Sequence, residues 1–158
     1  MADQKQAQKA VKRQAAEGHG GDVTPKEAWR VLSADPAAQL VDVRSAAEWT
    51  FVGVPDLGAL HKKVQFVEWQ RFPGMVRIAE FVDVLIAGLK KAGTIKTAPI
   101  FFICRSGHRS ASAARALTAL GFSATYNIAG GFEGDLDDKR HRAGVSGWKF
   151  DGLPWVQS

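Results

Sequence analysis

The chain has 158 residues, 46% of them apolar and 23% charged, with a formal net charge of +5 and one cysteine. That size and apolar content fit one globular domain with its own core. No apolar run approaches the roughly 18 residues of a membrane span, no apolar signal segment opens the chain, and a lone cysteine excludes an internal disulfide, so the expected location is the reducing cytoplasm.

Residues 1–21 set Lys5, Lys9, Lys12 and Arg13 against Asp3 and Glu17 and end in Gly18-His19-Gly20-Gly21. So little apolar surface cannot offset the entropy of ordering, and the segment is expected to be a flexible basic tail ahead of a domain over 22–158. Beyond it basic and acidic side chains alternate without an RNA-binding signature. The charge therefore suits small anions rather than nucleic acid.

Thr24 with Glu27 makes a capping box, and Pro25 falls at the first helical position, which predicts a helix to about Ala34. Gln39 to Val43 reads as a short apolar strand, and the alternation of Val64 to Trp69 as another. Ile78, Phe81, Val82, Leu85 and Leu89 recur at three- and four-residue spacing, predicting an amphipathic helix from about Val76 to Lys91. Ile100 to Ile103 reads as a strand buried on both faces. The alanine-rich run from about His108 to Leu120 predicts a helix closed by Gly121, and Ala124 to Ile128 a further strand. The alternating order predicts an α/β fold with a central, mainly parallel sheet of about five strands flanked by helices.

Cys104 stands where the buried strand runs into Arg105-Ser106-Gly107-His108-Arg109-Ser110. Open α/β sheets bind ligands at the carboxyl ends of their strands, and the loop amides, the first helical turn and three basic side chains all focus positive potential there. These are the surroundings of a reactive cysteine rather than an inert core thiol. Arg105 and Arg109 are candidate anion binders, although Arg109 suits equally a scaffold that pins the loop to a carboxylate. His108 is a candidate to bind an anion or tune the sulfur. Ser106 and Ser110 are candidate donors to the site, with Ser110 equally a helix cap. Gly107 is expected to let the backbone curl where a side chain would crowd the ring. Trp49, Phe66, Trp69 and Phe72 are candidates for the mouth of a pocket or for the core. The histidines and the cysteine lack zinc spacing and Gly130-Gly131 lacks the rest of a dinucleotide fingerprint, so no cofactor or metal is expected.

The four residues between Cys104 and Arg109 carry a resemblance. Cysteine phosphatases place five there, giving a ring wide enough for phosphate, whereas the shorter loop resembles that of the rhodanese family of thiosulfate sulfurtransferases, in its single-domain form. The likeness spans about residues 23–158: Val23 to Ala28 as the opening segment, Asp42-Val43-Arg44 as the family's Asp-x-Arg strand end, Glu48-Trp49, the glycine pair of Ile128 to Phe132, and Gly152-Leu153-Pro154. Two departures are Val52 to Gly58, where the family has a Gly-His-Ile-type segment, and a charged insert from Asp135 to Gly147. The insert reads as a solvated surface loop, with gating a substrate or docking a partner as the alternative.

The resemblance implies that Cys104 takes sulfur from thiosulfate or another small anionic sulfane donor and holds it as a persulfide. It then passes the sulfur to cyanide, a thiol or a protein acceptor. Residues 105–110 would form the cradle, with Asp42 and Arg44 in support, and no membrane partner. A protein sulfur carrier or interaction module without thiosulfate turnover stays open, as does a phosphatase or arsenate reductase of the same fold, against which the four-residue gap argues.

Overall fold

The computed structural model describes residues 11–158. In chain order its strands are β1 (Gln14–Ala16), β2 (His19–Val23), β3 (Gln39–Asp42), β4 (Val54–Pro55), β5 (Gln65–Phe66), β6 (Gln70–Arg71), β7 (Val76–Arg77), β8 (Ile100–Ile103), β9 (Thr125–Ile128) and β10 (Trp155–Val156). The α-helices are α1 (Pro25–Ala34), α2 (Ala46–Phe51), α3 (Phe81–Lys91) and α4 (His108–Thr118). Six strands form the main sheet in the order β1-β2-β9-β8-β3-β5, parallel throughout except for the antiparallel edge strand β1. The expected α/β class with about five parallel strands is therefore present, with one antiparallel strand added. No helix among the described residues is long and apolar enough to cross a membrane.

Side-chain alternation along β8 divides the core into two layers. Phe101 and Ile103 join Ala28, Val31 and Leu32 of α1 with Phe132 and Trp148 on one face. Ile100, Phe102 and Cys104 face the other way, against Phe81, Leu85 and Leu89 of α3 and Ala113, Ala114 and Leu117 of α4. A strand covered on both faces has no polar side to show, hence the unbroken apolar run before Cys104.

Two expectations change. Residues 14–23, counted largely as tail, are the hairpin β1–β2 on the edge of the sheet. Long-range bonds order it: Val11 is buried in the core, the Lys12 backbone N–H donates to Glu27, and the Arg13 guanidinium donates to the Gly20 carbonyl. Residues 1–10 of the expected tail lie outside the described residues. The helix expected from Val76 begins at Phe81 instead, because Val76 and Arg77 pair with Arg71 and Gln70 in a second hairpin. Ile78 continues that pairing by donating to the Trp69 carbonyl, so its helical spacing is coincidental.

Candidate active site

Parallel pairing of β8 with β3 and β9 brings the carboxyl ends of the three strands together. Cys104 leaves β8 there, 1% exposed, with its side chain toward α4. The Gly107 N–H donates to Cys104 Sγ at 3.1 Å, and Ser110 Oγ lies 3.1 Å from the same sulfur. Ser110 donates to Asn127 Oδ1 at 2.6 Å, and the Asn127 amide donates in turn to Asp22 at 3.0 Å. The one hydroxyl proton is thus committed to Asn127, and Ser110 Oγ meets the sulfur as an acceptor for the thiol S–H. Asn127 and Asp22 escaped the sequence reading, although a polar residue in the otherwise buried strand β9 is the signal that flags such a partner.

Gly107 adopts φ +115°, while a Cβ there would stand 3.7 Å from its nearest neighbour, in ordinary contact. The backbone conformation, not crowding of the ring, demands glycine. Gly131 is under both constraints: φ is +62° and a Cβ would meet the Cys104 carbonyl oxygen at 2.4 Å. Phe132 and Glu133 then donate to the Cys104 and Arg105 carbonyls, so the glycine pair is clamped to the back of the cysteine loop. Gly131→Ala is expected to lower stability by about 1–3 kcal/mol, the usual scale of such backbone strain, and to shift the loop. Urea unfolding measures the first effect, and the rate of Cys104 alkylation the second.

Asp42 and Arg44 are completely buried. Asp42 accepts from Nε and Nη2 of Arg44, which also donates to the Gly53 carbonyl and stacks 4.2 Å over Phe132. The pair ties β3 to the Gly53 and Phe132 segments. Arg109 is held bidentately by Glu48, at 2.6 and 2.9 Å, and Glu48 also closes the capping box of α2 on Ser45. Arg109 is thus pinned to a carboxylate. Arg105 and His108 are exposed, and Ser106 is half-buried.

Burial alone would raise the Glu48 carboxyl, but the Arg109 guanidinium and the Ser45 donors hold it below the usual carboxylate range. A depressed folded value means stability that is present above the ordinary glutamate pKa of about 4.3 and lost as pH falls through the folded value. Glu48→Gln is accordingly expected to destabilise the protein at pH 7, with the gap to wild type closing in acid. Urea unfolding at the two pH values measures it, and a gap that stays constant into acid would contradict the assignment.

Above the loop a cleft of about 640 Å³ is lined by Arg105 and Arg109, by Ser45, Ala47, Glu48 and Val52 around α2, by Gln70, Phe72 and Met75 of the β6–β7 hairpin, and by Glu133 and Arg142. Arg142 belongs to the insert read as a solvated surface loop; it donates to the Gly134 carbonyl and turns part of that loop into cleft wall. Of the candidate aromatic residues only Phe72 lines this cleft. Trp69 packs edge-on against Phe81 beneath the Arg77 guanidinium, while Trp49 and Phe66 pair with each other beside a separate groove. No group of three or more His, Cys, Asp and Glu among the described residues is arranged to hold a metal ion.

A family model described as the STR4 middle domain matches residues 20–158. Curated relatives from Rickettsia conorii and Rickettsia rickettsii, both described as uncharacterized proteins, are 37% identical over 135 residues, covering 85% of this chain and 95% of theirs. Among solved structures, the crystal structure of Rv0390 from M. tuberculosis superposes with a TM-score of 0.79 at 44% identity, over 89% of this chain and 99% of that one. The solution structure of a polysulfide-sulfur transferase homodimer from Wolinella succinogenes superposes with a TM-score of 0.55 at 22% identity, over 97% and 84%. This second likeness is one of fold.

Proposed function

The chain belongs to the STR4 middle-domain family, and from that premise we propose that it is a rhodanese-like sulfurtransferase whose nucleophile is Cys104. The observation that carries this reading is the setting of the sulfur: at the end of a central strand, 3.1 Å from both a loop N–H and a buried hydroxyl, beneath a cleft edged with arginines. The fold shared with a sulfur transferase supports it. Occupation of Arg109 by Glu48 supports it against the phosphatase alternative, because the closing arginine is not left free to clasp a phosphate.

In the reaction the Cys104 thiolate attacks the outer sulfur of a sulfane donor. With thiosulfate, an Sγ–S bond forms, the donor S–S bond breaks, and sulfite leaves with the electron pair. The sulfite leaves as a dianion, and the persulfide carries on its terminal sulfur the negative charge that the donor's outer sulfur brought. Its terminal sulfur is stabilised by the loop N–H groups and Arg105, with His108 at the rim, donors fixed in place before charge arrives. Attack by cyanide on that sulfur releases thiocyanate and restores the thiolate; a low-molecular-weight thiol or a protein cysteine takes the sulfur in the same way. In this reading residues 22–158, completed by the β1–β2 hairpin on their sheet edge, are the transferring domain and the cytoplasm supplies the reduced thiol. Thiocyanate release from a sulfane donor and cyanide is the test. Catalytic turnover is expected, and failure with both thiosulfate and an organic persulfide would overturn the proposal.

A further inference from the structure

The cleft above the loop has more room, and more kinds of charge, than an inorganic anion uses. Its volume of about 640 Å³ falls in the range of sites for organic ligands. Glu48 and Arg109 neutralise each other. Arg105, Arg142 and Glu133 remain. Arg105 forms no ion pair among the described residues, and Arg142 spends one N–H on the Gly134 carbonyl, leaving the rest of its fork available. Glu133 is half-buried and enters no ion pair among the described residues. A dianion entering this cleft meets two cations but also the Glu133 carboxylate, which has Lys149 in its field yet no ion-pair contact within 4 Å among the described residues, whereas a zwitterion satisfies both signs.

The opposite wall is apolar. Phe72 and Met75, at the turn of the β6–β7 hairpin, are 58% and 40% exposed. Methionine is a soft, polarizable surface for carbon and sulfur. Cys104 itself is 1% exposed, so only the narrow end of a donor, its terminal sulfur, can descend to it while a bulkier body stays above.

We propose that this cleft selects an amino-acid or short-peptide persulfide, with Glu133 taking its ammonium group and Arg105 and Arg142 its carboxylate. The inference rests on the sulfur-transfer reading above and names its donor class. The step balances without an added oxidant: the Cys104 thiolate bonds to the outer sulfur of R–S–SH, the S–S bond between the inner and outer sulfurs breaks, and R–S⁻ leaves with the electron pair and takes the proton. The insert then acts in specificity, since it delivers Arg142.

The test is the single-turnover rate of sulfur loading onto Cys104, read by quenched mass spectrometry. Cysteine persulfide, the persulfide of 3-mercaptopropionate, which lacks the amine, and thiosulfate are compared on wild type, Glu133→Gln and Arg142→Gln. Glu133→Gln is expected to slow loading from cysteine persulfide about tenfold, the scale of a charged hydrogen bond. It is expected to speed loading from the other two donors severalfold by removing a like charge. Arg142→Gln should slow both carboxylate donors. For Glu133→Gln, a change of the same sign for all donors, or none, would overturn the proposal while leaving the transferase reading intact. Absence of loading from every donor on wild type would instead overturn that reading, and this one with it.

Discussion

Cys104→Ser is expected to abolish sulfur loading and thiocyanate release, with a loss on the order of 10⁴-fold or more, the scale on which removal of a nucleophile acts. A serine hydroxyl at this position is a poor nucleophile toward sulfane sulfur, yet it keeps the local bonding. The Gly107 N–H and the Ser110 hydroxyl, each 3.1 Å from Sγ, are within reach of an oxygen in its place. The fold is therefore expected to persist, with urea unfolding shifted by no more than about 1 kcal/mol. Sulfur transfer retained in a correctly folded Cys104→Ser protein would remove the thiol from the mechanism.

Asp42→Ala is expected to have the largest effect on stability. Asp42 is the carboxylate facing a guanidinium with no exposure to water, and its removal leaves Arg44 charged and buried, with a hydrogen bond to the Gly53 carbonyl in place of its counter-charge. Breaking such a pair from one side costs about 3–5 kcal/mol, out of a total stability that for most domains is 5–15 kcal/mol. The stranded charge, not the lost contact, sets the size of the effect. Replacing both partners, as Asp42→Leu with Arg44→Met, should recover much of the loss. A double variant as unstable as Asp42→Ala would show instead that the geometry of the pair is what the fold needs. Because the pair lies behind the cysteine loop, the rate of Cys104 alkylation should change in Asp42→Ala even under conditions where the protein stays folded.

What the sequence makes legible here is what nearest neighbours decide. Thr24 caps α1 by accepting from the Glu27 N–H, as the motif predicts. The reciprocal half of the capping box is missing, because the Glu27 carboxylate takes the Lys12 N–H and the Arg30 guanidinium instead. The buried strand β8 ends at Cys104 as its apolar run implies. The features that were missed join residues far apart in the chain. The Ser110 hydroxyl is oriented through Asn127 by Asp22, 105 residues from that asparagine in sequence, and Arg109 is captured by Glu48 across 61 residues. The hairpin β1–β2 reads as tail because its composition is polar and glycine-rich; its order comes from Glu27 and the sheet edge. Arg142 was hidden for a related reason. A run of charges has the composition of a solvated loop, and only the fold shows that one of those charges turns inward to the cleft.

The central claim is that Cys104 carries sulfur as a persulfide, and intact-mass spectrometry before and after exposure to a sulfane donor tests it most directly. Thiosulfate and cysteine persulfide serve as donors, with Cys104→Ser alongside. The expected result is a gain of one sulfur, roughly 32 Da, on the wild-type chain and none on the variant, reversed by cyanide. An unchanged wild-type mass with both donors, or an equal gain on Cys104→Ser, would contradict it.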